Sequence, residues 1–334
     1  MQRVGLPRVG SALHFVAGAR TAVTAAVFVS SLLLSSASMA QTPREAQELY
    51  SRGRDRFSKG RIDEAIEDYT RAIAMISLAP GDHLRANREL RLSSGKEAPG
   101  TPAIAVLDPL AAAIYADRSL ARYKLGDFEG AMADSNQAIA IDPGLGTAYG
   151  DRGLVRWATG DLAGAIADLS KAITIDPGDY QAYNNRAGTL YKIGDVEGAL
   201  ADYDRAIALN PREAEIYANR ADARNYKGDI DGAIADSDRA IKLKPRFAMA
   251  FSVRGKARFL RNEIEASISD FSRALELDPG LWETYANRGL ARLLLGQENK
   301  AREDFAQCIK LDPSFETELQ RHIQAVKKAR GDTQ

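Results

Sequence analysis

Six prolines, Pro143, Pro177, Pro211, Pro245, Pro279 and Pro313, stand 34 residues apart. A strict period of that length marks an array of small supersecondary units, and it decides the architecture before local propensities are weighed. Five of the six follow an acid or amide in D-P or N-P, and Lys244 precedes the other. Units counted from 112, 146, 180, 214, 248 and 282 each read as helix, tight turn, helix and proline turn. A seventh copy starts near 46, in LYSRGRDRFSKGRIDEAIEDYTRAIAM. One such hairpin buries too little apolar surface to stand alone, so stacked neighbours must complete its core.

Each unit carries its own punctuation. The first helix, A, is expected to begin near Tyr115, Tyr149, Tyr183, Tyr217, Phe251 and Tyr285. It stops at Gly126, Gly160, Gly194, Gly228 and Gly296, with Asn262 in the odd unit; both residue types tolerate the left-handed turn at a helix end. Asp127, Asp161, Asp195 and Asp229 follow at once and suit the N-cap of the second helix, B. The proline then ends helix B. Small residues fill the eighth, twentieth and twenty-seventh positions, where helices should approach closely. The last of these rows runs through alanines to Cys308. The lone cysteine therefore reads as a stand-in for a buried alanine, and without a second cysteine the chain has no disulfide framework.

Two further rows are invariant. The seventh position is Arg52, Arg118, Arg152, Arg186, Arg220, Arg254 and Arg288; the twenty-third is Asp68, Asp134, Asp168, Asp202, Asp236, Asp270 and Asp304. Both lie eight residues from the turn at position fifteen. An antiparallel hairpin should bring them level, so an Arg–Asp pair within or between repeats is expected.

The aromatic of helix A, the small residue four places later, the glycine turn, the two alanines and the proline resemble the tetratricopeptide repeat family over about residues 44–315. The resemblance implies an all-α fold, a right-handed solenoid of about seven antiparallel helix pairs. In it, helix A of each unit lines a concave groove for peptides or partner proteins. The chain departs from the family pattern by placing arginine at all seven seventh positions and six of the eleventh, where leucine, or tyrosine and leucine, are preferred. The amphipathic ETELQRHIQAVKKA (316–329) fits a closing helix.

Residues 1–40 read as a signal peptide. Arg3, Arg8 and Arg20 precede or flank the apolar run TAVTAAVFVSSLLL, which is short for a membrane span, and Ser38 and Ala40 sit where a signal peptidase cleaves. Cleavage is expected after Ala40, giving a periplasmic or secreted bacterial protein; an uncleaved membrane anchor is the alternative. The mature chain is slightly acidic, without the clustered basic excess of a nucleic-acid binder, and no other apolar run approaches membrane length. The expected division is a first unit at 41–79, an insertion at 80–111, six contiguous units at 112–315, and a capping helix with tail at 316–334. The insertion, rich in proline and glycine with Arg85, Arg88, Arg91 and Lys96, reads as a surface excursion or as a flap or docking element.

The three histidines, His14, His83 and His322, are scattered, and no HExxH, nucleophile elbow, phosphate-binding loop or Cys/His cluster is present. No catalytic residue, cofactor or metal is expected, and the chain is read as a non-enzyme. Asn185 recurs as Asn219 and Asn287. In some tetratricopeptide proteins this asparagine joins lysines and arginines to hold a peptide's terminal carboxylate. Here the cation positions carry Gln181, Glu215, Asn219 or Glu283, so that complete clamp is absent. The twelfth position gives a mainly aromatic row, Phe57, Tyr123, Trp157, Tyr191, Asn225, Phe259 and Leu293, which suits inter-repeat packing or a ligand platform. Residues that break the repeat are the better specificity candidates. The candidate partner groove is therefore Trp157, Asn185, Leu190, Tyr191, Lys192, Asn219, Asp222, Tyr226, Lys256 and Phe259, within units 146–281. The expected function is an interaction scaffold for a peptide or partner protein in an envelope or secretion complex. The alternative is a glycan- or small-ligand-binding accessory of polysaccharide assembly, with sugars stacked on Trp157 or Tyr191.

Overall fold

The computed structural model describes residues 42–78 and 109–331. The expected signal peptide, most of the expected insertion and the last three residues lie outside the described residues. Within them the fold is all-α, seven helix hairpins and a closing helix. The hairpins are α1 (Thr42–Ser58) with α2 (Ile62–Leu78), α3 (Pro109–Lys124) with α4 (Phe128–Ile141), α5 (Gly146–Thr159) with α6 (Leu162–Ile175), and α7 (Tyr180–Lys192) with α8 (Val196–Leu209). They continue with α9 (Ala214–Lys227) and α10 (Ile230–Leu243), α11 (Ala248–Leu260) and α12 (Ile264–Leu277), and α13 (Trp282–Leu294) and α14 (Glu298–Leu311). A 3-10 turn (Pro313–Phe315) leads into α15 (Glu316–Arg330). The described residues form two compact units, one ending at Ala182 and one beginning at Tyr183. Among them no helix is long and apolar enough to cross a membrane.

The A helices begin about one turn earlier than the sequence reading places them, at Gly146, Tyr180, Ala214, Ala248 and Trp282. In three of them the start is set by an apolar residue at the end of the preceding unit, whereas Asp179 caps α7, accepting from the backbone N–H groups of Gln181 and Ala182 at 2.9 and 3.0 Å. Leu145 packs on Ala138 and Ile139, Phe247 on Ala240 and Ile241, and Leu281 on Ala274 and Leu275. Each fixes the entry angle of helix A by burial, without a side-chain cap. The helix ends follow the glycine row. Gly160, Gly194 and Gly228 have φ near 90°, and Asn262 is the one non-glycine residue with positive φ among the described residues. Asp127, Asp161, Asp195 and Asp229 cap helix B, each accepting the backbone N–H three residues on, at 2.9–3.0 Å.

Inside each hairpin the eighth and twenty-fourth positions are matched in size. Gly255 lies under the Phe271 ring, where an added Cβ would come within 2.7 Å of the aromatic carbons, and Gly53 and Gly289 lie likewise under Tyr69 and Phe305. Where the twenty-fourth residue is Ser135, the eighth is Ser119, and the two hydroxyls hydrogen-bond at 2.6 Å.

The invariant arginines and aspartates pair within the hairpin. Nε and Nη2 of each seventh-position arginine donate to the two carboxylate oxygens of its own helix B aspartate, as in Arg118–Asp134, Arg220–Asp236 and Arg254–Asp270 at 2.6–2.7 Å for the Nη2 contacts. Each guanidinium from Arg118 to Arg288 also lies 5.4–5.7 Å from the centre of the aromatic ring three residues earlier. The eleventh-position arginines Arg56, Arg122, Arg156, Arg224, Arg258 and Arg292 add a second cation to the same aspartate at 2.8–2.9 Å. Asp68 shows the consequence: its hydrogen bond from Arg52, with the neighbouring positive charges, holds its carboxyl below the usual range.

The remaining nitrogen reaches across repeats. Nη1 donates to the twenty-fifth residue of the preceding helix B, from Arg118 to Thr70, Arg152 to Asn136, Arg220 to Asp204, Arg254 to Asp238 and Arg288 to Ser272. In the first unit, α2 therefore packs directly on α3, with Ile114 and Ala121 sharing a core with Tyr50, Tyr69 and Ile73.

At the other end, Leu319, Ile323 and Val326 of α15 close the core over Leu290, Leu293 and Cys308. Cys308 is fully buried, and burial pushes its thiol up to about 12. Two outcomes follow. Asp270→Asn, which strands two arginines, should cost about 3–5 kcal/mol by chemical denaturation, and Asp202→Asn, which strands only Arg186, about half of that. Cys308 should stay unreactive toward a thiol reagent at neutral pH until the chain is unfolded.

Candidate functional site

In the second unit the A helices α7, α9, α11 and α13 carry the residues that break the repeat. Stacking brings the twelfth position of one A helix beside the ninth of the next, and the ninth beside the ninth. Tyr191 on α7, Asp222 on α9 and Lys256 on α11 meet for this reason. The Tyr191 hydroxyl donates to Asp222 Oδ2 at 3.1 Å, and Lys256 Nζ donates to Asp222 Oδ1 at 3.0 Å. Asp222 is 7% exposed and Lys256 5%, so this is a buried ion pair. Tyr226 packs its ring against Tyr191 edge to face, 5.8 Å between centres, and keeps 43% of its surface in solvent.

Beside this pair runs a row of amides. Asn219 Nδ2 on α9 donates to Asn184 Oδ1 on α7 at 3.1 Å, and Asn184 Nδ2 points to Asn185 Oδ1 at 3.4 Å. Between the rows is a cavity of about 20 Å³, lined by Tyr191, Tyr203, Asn219, Asp222, Met249 and Val253, room for one water. Deeper in, Asn225 donates to the Val253 carbonyl at 3.0 Å while its Oδ1 is buried without a partner.

The electrostatics follow from burial. Desolvation, then the charge of Asp222, raises the Tyr191 hydroxyl well above its ordinary value. Glu283, half-buried on α13, is pushed up to about 8 by burial and by Asp222, with Lys256 opposing. Glu213 rises to about 7, chiefly through its hydrogen bond with Glu215, whose own carboxylate accepts from Lys244 Nζ at 2.6 Å. In the first unit burial, together with Asp117 and Asp179, raises Asp151 well above the carboxylate range. Among the described residues no group of three or more His, Cys, Asp or Glu side chains is arranged to hold a metal ion.

Of the candidate groove residues, Asn185, Tyr191, Asn219, Asp222, Tyr226 and Lys256 come together, and Lys192 lies exposed in the last turn of α7. One belongs elsewhere: Phe259 is 8% exposed and packs with Ile264 and Ala291, so it is core. Leu190, half-buried, stands where the other units send an arginine to the helix B aspartate. Trp157, half-buried on α5, is part of the first unit. Asn184 and Glu283 were missing from the candidates. Asn184 had a signal, since the fifth position is elsewhere tyrosine, alanine, glycine or serine.

Two sequence-family models, each described as tetratricopeptide repeat, match the chain. One covers 151–214, 184–236 and 218–281, the other 112–145 and 283–315. Among solved structures, a tetratricopeptide repeat protein from Parabacteroides merdae ATCC 43184 is similar with a TM-score of 0.57 at 16% identity, over 84% of this chain and 99% of that one. A chain of the APC/C hetero-tetramer Cut9-Hcn1 gives 0.59 at 13% identity, over 83% of this chain and 55% of that one. At such identities the likeness is one of fold. No curated protein matches the chain in sequence.

The raised carboxyl of Glu283 makes stability depend on pH. Unfolded, it ionises near the ordinary value of 4.5; folded, near 8. The folded state thus holds the proton longer, and the neutral form's stability is fully present below about 4.5 and is lost as pH rises toward 8. Glu283→Gln should therefore leave the melting temperature nearly unchanged at pH 4 and raise it at pH 8.5, by a gain on the order of 2 kcal/mol.

Proposed function

The chain belongs to the tetratricopeptide repeat family, and from that premise we propose that it is a non-enzymatic scaffold whose second unit docks an extended segment of a partner protein. The amide row Asn185, Asn184 and Asn219 carries this reading. An asparagine amide offers two donors and an acceptor with two lone pairs, and the contacts within the row use only part of that capacity. An extended polypeptide presents a donor and an acceptor at each residue, so amides on neighbouring helices can hold it without regard to sequence. Tyr226, exposed beside the row, supplies an apolar contact for one side chain of the partner.

The groups gathered here are amides, a carboxylate already paired to an ammonium, and a phenol held protonated. None is a free nucleophile matched to a base, which favours binding over catalysis. Tyr191 has its ring committed to Tyr226 and its hydroxyl to Asp222, which favours a peptide over a sugar stacked upon it. The basic, apolar and small-residue run before residue 41 supports export, and we place the scaffold in a bacterial envelope or secretion complex.

The test is crosslinked capture of the mature chain, residues 41–334, from the envelope fraction of its native cell. A protein should be enriched, and recovery should fall at least about tenfold in the Asn185→Ala/Asn219→Ala variant, the loss of roughly two modest hydrogen bonds. Equal recovery by a folded double variant would place the docking surface elsewhere.

A further inference from the structure

The exposed apolar side chains of the second unit are gathered on one edge. Of the six large hydrophobic residues that stand exposed among the described residues, four lie at or just past the ends of its A helices: Ile193 after α7, Tyr226 on α9, Leu260 on α11 and Leu295 after α13. Each occupies position thirteen or fourteen, beside the turn into helix B, and keeps 38% to 52% of its surface in solvent. The hairpin does not require them. The first unit has one such residue, Leu125, and closes α1 and α5 with Ser58 and Thr159. A row of four apolar side chains in water, one on each successive helix, marks a contact surface. The strip is also tied from turn to turn. Lys227 at the end of α9 pairs with Glu197 in the first turn of α8 at 2.8 Å, and Arg261 after α11 with Asp231 in the first turn of α10 at 2.9 Å. Leu294 packs on the cluster of Phe259 and Ile264, and Arg330 at the end of α15 pairs with Glu298 in the first turn of α14 at 2.7 Å.

We propose that this edge receives a basic amphipathic α-helix of a partner protein, laid across the ends of α7, α9, α11 and α13. Spacing, backbone and charge select that occupant. Packed helices lie about 8–10 Å apart, and seven residues of an α-helix rise about 10.5 Å. Apolar residues at every seventh place of the partner helix therefore meet successive exposed side chains, and about 20 residues span all four. A helix satisfies its own backbone hydrogen bonds, as it must on a row of apolar side chains that supply none. The charge of the edge is one-sided: positions thirteen to nineteen of the four units hold seven carboxylates and four cations, so cations flanking the apolar stripe of the incoming helix are attracted. The same excess opposes an anionic bilayer, and a second copy of this chain brings like charge against like. The amide row lies about two turns earlier on α7 and α9, so the edge does not rest on the docking reading above, Tyr226 being the one residue common to both.

The experiment follows the fluorescence anisotropy of a labelled synthetic helical peptide of about 22 residues, with leucine at every seventh place and lysines beside the leucines, titrated with the whole mature chain. An isomer of the same composition, its leucines scattered round the helix, is the control. The native chain should bind the first peptide and hold the isomer at least about tenfold more weakly. Ile193→Ser/Leu260→Ser should weaken the first peptide at least about tenfold with the melting temperature unchanged. Asn185→Ala/Asn219→Ala should bind it as the native chain does. A native chain that does not bind the first peptide overturns the proposal, as does a folded serine variant that binds it equally well. Equal binding of the isomer overturns it too, since charge alone then accounts for the attraction. A loss in the asparagine variant as large as in the serine variant puts the peptide on the amide row and overturns the edge. Sedimentation of the chain with phosphatidylcholine and phosphatidylglycerol vesicles, abolished in the serine variant, makes the edge a membrane contact and overturns the partner helix. Should the serine pair unfold the chain, Ile193→Lys, at the most exposed place of the row, takes its role with the same two outcomes.

Discussion

One guanidinium per repeat couples the levels of this structure. The seventh-position arginine lies over an aromatic of its own helix, donates two parallel bonds to the aspartate of helix B, and has its third nitrogen free for the helix B of the repeat before. A planar fork with donors on three nitrogens can do this in one rotamer; a lysine ammonium could not. The aspartate it meets is almost wholly withdrawn from water, so its desolvation is offset only while the cations stay in place. The eleventh-position arginine supplies a second cation in six hairpins. These ionic contacts, more than any single apolar cluster, set the level at which helix A meets helix B, and the matched pairs at positions eight and twenty-four then fill the space that this level leaves.

Much of this was legible in the sequence because it rests on identity at a fixed period. The arginine and aspartate rows and the glycine ends are the same residue in nearly every unit, the aspartate caps in four of the seven, and equal distance from the turn was enough to pair the first two. The inter-repeat bond was not legible. Its acceptors, Thr70, Asn136, Asp204, Asp238 and Ser272, share only an oxygen at the same place, and a search for recurring residue types passes over them. The early start of α5, α11 and α13 was hidden for a different reason: an apolar contact made backward onto helix B replaces the polar cap that marks most helix starts in sequence.

The cluster around Asp222 was partly legible for the opposite reason, since its residues are the ones that break the period. Asp222 and Lys256 are unusual at a ninth position that elsewhere holds leucine, glycine or arginine, and their meeting follows once stacking puts ninth positions side by side. Phe259 misled because the twelfth position points into the inter-repeat core in its neighbours too, where Asn225 and Leu293 are also buried. An aromatic row at regular spacing is a packing signal first, and the exposed ring here, Tyr226, stands one place outside that row.

Leu190 belongs to the same account. By removing the second arginine from the α7–α8 hairpin it leaves Asp202 with Arg186 alone. That hairpin is the one that presents Asn184, Asn185 and Tyr191, and the boundary between the two compact units falls within α7. Asn184 and Asn185 thus stand on a hairpin whose helix B aspartate is met by one arginine rather than two. Its setting depends correspondingly more on the contacts it makes forward, from Asn184 to Asn219 and from Tyr191 to Asp222.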